Sequence, residues 1–193
     1  MPTCHTRNIQ AIDFWTDSWC ELFSSHLSRI LSHAKTGFAW PEFNQLGGLV
    51  VSKVVPALLL PLQTDGRSIK PCLVHGDCWD RNTATGEDGR AFFFDVASFY
   101  AHNEYDLGDW RTPRHVLSDP SYTDAYKALV PVSEPGECLP HLSTIGKKEK
   151  RSINTSFVLI SQVEDWDSRN LLYSLTWNIC NALFVPHSTQ KPQ

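Results

Sequence analysis

Residues 71–106 read PCLVHGDCWDRNTATGEDGRAFFFDVASFYAHNEYD, and this stretch decides the predicted fold. Two short apolar runs, Cys72–Val74 and Ala91–Phe94, have the residue types and length of buried strands. A Gly-Glu-Asp-Gly turn at 86–89 lies between them. The stretch therefore predicts a small β-hairpin in which each strand ends close to an aspartate.

The acidic and amide side chains of this stretch have the pattern of a magnesium-phosphate site. Asp77 lies in His-Gly-Asp, Asn82 follows five residues later, and Asp95 ends the aromatic run. Phosphoryl transfer needs metal ions held between phosphates and a carboxylate that orients and deprotonates the attacking hydroxyl. We therefore interpret Asp77 as the base and Asn82 and Asp95 as magnesium ligands, since Mg²⁺ prefers a few hard oxygens. Each residue alone has a structural explanation as a turn or strand end, and the combination in this order favours a phosphotransferase.

Composition restricts the classes of partner. A net charge of −4 and a pI near 6.0 argue against a nucleic-acid-binding protein, and the one basic cluster, 147–151, is short. The six cysteines form no C-x-x-C pair, which is typical of reduced thiols in a cytosolic protein. The N-terminus has no apolar leader, and the most apolar stretch, 54–62, is interrupted by two prolines and is too short to span a membrane. We expect a cytoplasmic protein with no nucleic-acid or membrane partner.

Helical periodicity dominates the remainder of the chain. Asp13 or Thr16 is predicted to cap a first helix that runs to about Ala34. Pro41 is predicted to open a second helix, which Pro56 should stop or kink. The inward positions expected for these two helices, in chain order, are Trp15, Trp19, Leu22, Phe23, Leu27, Ile30 and Leu31, then Phe43, Leu46, Leu49, Val50 and Val54.

Two further helices are predicted after the catalytic stretch. One begins at 105–110, and a final helix is capped by Asp165 or Ser168 and carries Leu171, Leu172, Leu175, Ile179 and Leu183 on its inner face. Helices that support a small catalytic hairpin form the larger lobe of a kinase-like enzyme. The fold class is therefore predicted to be α+β: a protein-kinase-like C-terminal lobe, mainly helical, with a small catalytic β-hairpin.

The sequence has no counterpart of the smaller lobe that binds ATP. None of the ten glycines forms a G-x-G pair, and Lys35 and Lys53 both lie on predicted helices. We expect the N-terminal ATP lobe to be absent and the chain to be truncated, so that its nucleotide-binding residues are unknown.

The segments HGDCWDRN (75–82) and FFFDVASFYAHNEYDLG (92–108) resemble those of the fructosamine kinase (ketosamine-3-kinase, or protein-ribulosamine 3-kinase) family, relatives of the aminoglycoside phosphotransferases. The resemblance covers about 14–131 and 166–184. It implies ATP-dependent phosphorylation of the 3-hydroxyl of a ketosamine, with Mg²⁺ as cofactor and ATP as co-substrate. Phosphorylation would destabilise the adduct and lead to deglycation. The implied partner is a glycated protein or a small ketosamine.

Carried over by position, the resemblance makes Asp77 the catalytic base and Asn82 and Asp95 the magnesium ligands. Trp79 matches a position suited to stacking against the sugar, although a core aromatic is an equal alternative. His75 and Asp106 are expected to support the catalytic loop, His75 by hydrogen bonding and Asp106 as a helix cap.

One departure from the family pattern concerns metal affinity. Arg81 stands where the family usually has glycine before the metal-binding asparagine. If the backbone needs a positive φ there, arginine would strain it by about 1 kcal/mol or more.

A second departure is the stretch 136–163, which matches nothing in the family. We interpret it as an insertion, either a retained intron or a genuine loop, and expect it to be disordered or to form a poorly packed strand. The predicted lobe therefore spans 13–184, interrupted by 136–163, with tails at 1–12 and 185–193. Two alternatives to the ketosamine kinase remain: an inactive remnant or binding module, and a small-molecule phosphotransferase of the aminoglycoside or choline kinase kind.

Overall fold

The computed structural model describes residues 14–38, 40–133 and 162–184. In chain order the α-helices are α1 (Trp19–Gly37), α2 (Pro41–Leu49), α3 (Val55–Leu59), α4 (Pro120–Leu129) and α5 (Gln162–Phe184), and the strands are β1 (Cys72–Val74), β2 (Thr83–Thr85), β3 (Ala91–Phe93) and β4 (Phe99–Ala101). Short 3-10 helices lie at Leu60–Leu62, Asp80–Asn82, Asp106–Arg111 and Val116–Ser118. The mixture of long helices and very short strands agrees with the predicted α+β class.

Helix α1 begins later than the sequence predicted. Its N-cap is Ser18, whose side chain accepts from the Glu21 amide, while Thr16 donates to the Glu21 carboxylate at 2.7 Å. Asp13 lies outside the described residues. The predicted apolar face is largely confirmed, with Trp15 as the exception because it precedes the helix and is 87% exposed.

Pro56 does not end the second helix. Residues Val50–Val54 form a π-helical turn in which the Val55 amide donates to the Val50 carbonyl, and α3 follows directly. Pro56 lies in the first turn of α3, a position in which proline is tolerated. Pro56 therefore does not stop the helix, which is one of the two predicted outcomes, because the helical run continues through it.

Helix α2 also presents fewer residues to the core than predicted. The side chains of Leu46, Leu49 and Val54 are exposed, and only Phe43 and Val50 of the predicted set pack against the core. Since the helical run Pro41–Leu62 is continuous over 22 residues, its length and composition alone would allow it to cross a membrane, contrary to the expectation of a short broken stretch. Its buried residues include Val55 and Leu59, which join the same core as α1.

The strands do not form the single hairpin that was predicted. Strand β1 pairs antiparallel with β4, with Leu73 opposite Tyr100, and β2 pairs antiparallel with β3, with Ala84 opposite Phe92. The turn at 86–89 therefore connects β2 to β3, and the two apolar runs of the sequence belong to different sheets. Residues 71–106 consequently form two small sheets connected through the His-Gly-Asp loop.

Helix α5 closes the described fold against the 3-10 helix Asp106–Arg111. A Cβ on Gly108 would lie 2.7 Å from the Tyr173 backbone, so the two elements touch through their main chains. Helix α5 already includes Gln162 and Val163, so it begins before either predicted cap, Asp165 or Ser168. The rest of the predicted 136–163 insertion lies outside the described residues, as do the predicted tails.

A buried polar network also holds α5 in place. Arg169 donates to both Glu104 oxygens at 2.8 and 3.0 Å and to the Ser133 carbonyl at 2.7 Å. His102 contacts the Tyr173 hydroxyl at 2.8 Å. The segment after β4 is therefore fixed to α5 by hydrogen bonds as well as by apolar packing.

Candidate active site

The His-Gly-Asp loop follows β1 and makes a close backbone approach. Gly76 has φ +85, and a Cβ there would lie 2.4 Å from the Ala97 carbonyl oxygen. Next to it, the Ala97 amide donates to the His75 carbonyl at 2.8 Å. Because only glycine fits this conformation and this contact, the loop is held against the segment that follows β3.

The Asp106 carboxylate anchors the same loop from the other side. Its two oxygens accept from the His75 amide at 2.7 Å and from the Gly76 amide at 3.0 Å. Burial is the largest influence on Asp106 and raises its pKa, while the two amide hydrogen bonds lower it. Asp106 makes no side-chain cap to its own 3-10 helix, so the expected capping role was wrong. Its hydrogen bonds go to the loop.

The Asp77 carboxylate contacts Asn82, as the five-residue spacing suggested. The Asn82 side-chain amide donates to Asp77 Oδ2 at 2.8 Å and to the Asp77 carbonyl at 3.0 Å. The Asp77 amide in turn donates to His75 Nδ1 at 3.2 Å. The 3-10 helix Asp80–Asn82 turns the chain so that the two side chains meet.

Two hydrogen bonds orient the His75 imidazole. Its Nδ1 accepts from the Asp77 amide, and its Nε2 donates to the Phe94 carbonyl at 3.0 Å. Both ring nitrogens are therefore used in hydrogen bonds to the backbone. This geometry suits a residue that positions the loop.

Asp95 comes two residues after the end of β3, and the residue before it is hydrogen-bonded to Asn82. The Phe94 amide donates to the Asn82 carbonyl at 3.1 Å, and Asp95 follows with φ +53. A left-handed conformation is uncommon outside glycine and is best tolerated by asparagine and aspartate. The turn directs the chain away from the strand with an exposed carboxylate at the bend.

Asn82 and Asp95 suit a Mg²⁺ ion that substrate phosphates and water also bind better than they suit a metal site made of protein side chains alone. Asn82 and Asp95 offer hard oxygens, and no group of three or more His, Cys, Asp or Glu able to hold a metal occurs in the described part of the chain. Mg²⁺ in kinases is typically bound by one or two carboxylate or amide ligands together with substrate phosphates and water. Asn82 and Asp95 therefore match a Mg²⁺ ion whose remaining ligands are phosphate oxygens and water.

Trp79, two residues after Asp77, packs against His115 and Arg81, and we call this side of the loop the Trp79 flank. Its ring is 5.2 Å from the ring of His115, and the Arg81 guanidinium carbon is 5.6 Å from the Trp79 ring centroid. Arg81 is not among the described residues with positive φ. The strain expected from arginine at this position is therefore absent, because the 3-10 helix uses ordinary right-handed backbone angles.

Asp109 is a buried carboxyl near the site that the sequence analysis missed. It is 3% exposed, its Oδ1 has no hydrogen-bond partner among the described atoms, and His115 Nδ1 lies 3.9 Å away. Burial, reinforced by the charge of Asp77, raises the pKa of Asp109 to about 8. Burial also lowers the pKa of His115. Its position one 3-10 turn after Asp106 was the available sign that it would face inward.

The family model and the similar proteins found by comparison all indicate the same family. The model of the family described as fructosamine kinase matches residues 5–137. The protein-ribulosamine 3-kinase (chloroplastic) of Oryza sativa subsp. indica is 31% identical over 98 residues, which are 50% of this chain and 27% of that protein. A probable ketoamine kinase of Staphylococcus aureus is 33% identical over 124 residues, 62% of this chain and 40% of that protein.

A solved structure has the same fold. The crystal structure of a candidate fructosamine-3-kinase from Haemophilus somnus 129PT superposes with a TM-score of 0.61 at 16% identity, covering 95% of this chain and 48% of that one. The chain thus spans less than half of the length of these relatives. Since the family model covers well over half of the chain and includes the whole catalytic stretch, the chain belongs to the fructosamine kinase family.

Proposed function

We propose that this chain carries the hydroxyl-activating half of a ketosamine kinase site, which phosphorylates the sugar 3-hydroxyl of a protein-bound or small ketosamine and so leads to its deglycation. One observation carries the proposal. The Asp77 carboxylate, the Asn82 amide and the Asp95 bend are brought together by hydrogen bonds that the loop makes with itself and with β3.

In this proposal Asp77 orients the sugar hydroxyl and accepts its proton as the oxygen attacks the γ-phosphorus of ATP. The bond between that phosphorus and the bridging oxygen breaks, and ADP leaves with the electron pair. Asn82 and Asp95 would hold Mg²⁺, which neutralises charge on the phosphates. Asn82 has a second effect: its amide donates to Asp77 Oδ2 and so orients the carboxylate that is proposed to accept the proton.

The chain's own contribution is therefore a preorganised loop. Asp106 and Gly76 set the backbone before substrate arrives, so little ordering of Asp77 is needed at the moment of reaction. The adenine and triphosphate are expected to be bound by a lobe outside residues 14–38, 40–133 and 162–184, because a Gly-rich phosphate-binding loop is not found in these ranges.

The test uses the full-length protein, including its nucleotide-binding lobe, with Mg²⁺–ATP and a ribulosyl- or fructosyl-amine, followed by ³¹P NMR for a sugar 3-phosphate. Asp77→Asn should lower turnover by about a hundredfold or more, because a general base typically contributes that much. Asp88→Asn, in the exposed turn between β2 and β3, is the matched control and should leave turnover unchanged. Full activity of Asp77→Asn would contradict the proposed base.

A binding module is the second candidate, favoured by Arg81, a cation directly before the predicted metal ligand Asn82. Calorimetric titration distinguishes it from the kinase. A chain that binds the ketosamine but neither binds nor hydrolyses Mg²⁺–ATP is a binding module. An aminoglycoside accepted in place of the ketosamine would instead indicate a small-molecule phosphotransferase.

A further inference from the structure

We propose that Arg81 determines substrate specificity by binding an anionic group, a carboxylate on the amine portion of the ketosamine, beside Trp79. The inference rests on the proposed function and narrows its substrate class. It begins with an unusual placement: a cation stands directly between the base Asp77 and the predicted metal ligand Asn82 in sequence, in a region rich in aspartate.

The Arg81 side chain is available for a ligand. It is exposed, and no carboxylate of the described residues lies within ion-pair distance of its guanidinium, although Asp77 and Asp80 are near in sequence. The Arg81 guanidinium carbon lies over the Trp79 ring, 5.6 Å from its centroid. An arginine stacked over an aromatic ring keeps its N–H donors free at the edge, which is the arrangement that binds a carboxylate in two-point fashion.

A second cation, Arg114, also lies near Trp79, through its neighbour His115. Arg114 Nε donates to His115 Nε2 at 3.3 Å, and the His115 ring packs 5.2 Å from that of Trp79. Both arginines therefore border the Trp79–His115 pair. With a net charge of −4 overall, the protein would repel an anion unless local cations offset its acidic residues, and these two do so at one flank.

The position of Trp79 favours the acceptor substrate over the nucleotide as the source of the anion. The phosphates should lie near Asn82 and Asp95, next to the end of β3, where the Phe94 amide bonds to the Asn82 carbonyl. Trp79 is joined to the segment after Asp109 instead, through His115 and through the bond from the Val116 amide to Asp80 Oδ1 at 3.1 Å. A sugar held by Trp79 with its 3-hydroxyl at Asp77 would extend its amine substituent toward Arg81.

The experiment compares two matched probes, fructosyl-glycine and fructosyl-glycinamide, which differ in one negative charge. Calorimetric titration of the full chain should show the carboxylate form binding about five- to tenfold more tightly, a preference that shrinks with added salt. Arg81→Gln should abolish the preference and leave glycinamide affinity unchanged, while Arg81→Lys should restore it partly. Arg90→Gln, an exposed arginine paired with Asp88, is the control and should keep it.

The outcomes separate the inference from the function beneath it. Equal binding of both probes to the unaltered chain, or a preference that survives Arg81→Gln, overturns the inference and leaves the kinase proposal intact. Weakened Mg²⁺–AMP-PNP binding in Arg81→Gln, with the probe preference unchanged, assigns the anion to the nucleotide and also overturns it. Absence of binding of either probe refutes both proposals.

Discussion

Replacing the buried carboxyl Asp109 by asparagine should make the protein more stable at high pH. Asp109 is surrounded by Asp77, Asp106, Asp80, Arg114 and His115, and burial is the largest cause of its pKa rising from 3.8 to about 8. In the folded chain it therefore keeps its proton across neutral pH, whereas in the unfolded chain it loses it near pH 4. The folded state binds one more proton between these values, so stability falls as pH rises through this window.

The magnitude follows from that single proton. Each pH unit costs about 1.4 kcal/mol, and a shift from 3.8 to about 8 sets an upper limit of about 6 kcal/mol. Water entry and relaxation around the charged form lower the measured total below this limit. Asparagine has the shape of the protonated acid and does not titrate, so the difference between the two proteins isolates this group.

The assay is urea denaturation followed by tryptophan fluorescence at intervals from pH 5 to 9. The free energy of unfolding of Asp109→Asn minus that of the unaltered chain should increase by about 1.4 kcal/mol per pH unit up to the folded-state pKa, then level off. Asp124→Asn, on the exposed face of α4, should give a flat difference. Parallel curves for Asp109→Asn would mean that Asp109 is ionised in the folded protein, and would refute the reasoning.

Three further predictions concern the elements that hold the site. Arg169→Met should cost about 3–5 kcal/mol in urea denaturation by leaving the Glu104 carboxylate buried and unpaired, whereas Arg90→Met at an exposed pair should have little effect; equal losses would contradict this. Gly76→Ala should lower the free energy of unfolding by about 1–3 kcal/mol and weaken ketosamine binding. Gly66→Ala is the control, because Gly66 also has positive φ but no atom lies near its Cβ position, so its loss of stability measures backbone strain alone. The imidazole of His102 should titrate by NMR with a pKa of about 4, since burial lowers its pKa; its stabilising contribution is then lost as pH falls from 6.5 toward 4, and a measured value near 6.5 would contradict the buried geometry.

The local features of the site were predictable because they depend on near neighbours in sequence. The Asp77–Asn82 contact spans five residues, so a turn of fixed length decides it. The same holds for Pro41, whose place at a helix start follows from its missing N–H. In both cases the interactions that decide the structure join residues close in sequence, so the sequence pattern predicts them.

What the sequence did not predict depends on distant partners. Strands of three residues carry too little pattern to specify pairing, so the partner of β1 proved to be β4 instead of the strand at 91–94. The exposure of Leu46 and Leu49 likewise depends on where α1 and α3 lie, not on the spacing of α2 itself. Asp109 was missed for the same reason, since Asp77, Asp80 and His115, which lie around it, come from other segments of the chain.

The way the loop is built also explains how arginine can occupy position 81. The contacts that fix the loop are made by the backbones of His75, Gly76 and Phe94 and by the side chains of Asp106 and Asn82. The Arg81 side chain takes part in none of these contacts and extends outward over Trp79. A position that faces the substrate flank without contributing to loop geometry can vary in charge at little structural cost. Under the proposed function, substrate preference can therefore change at Arg81 while the geometry of the loop around Asp77 is preserved.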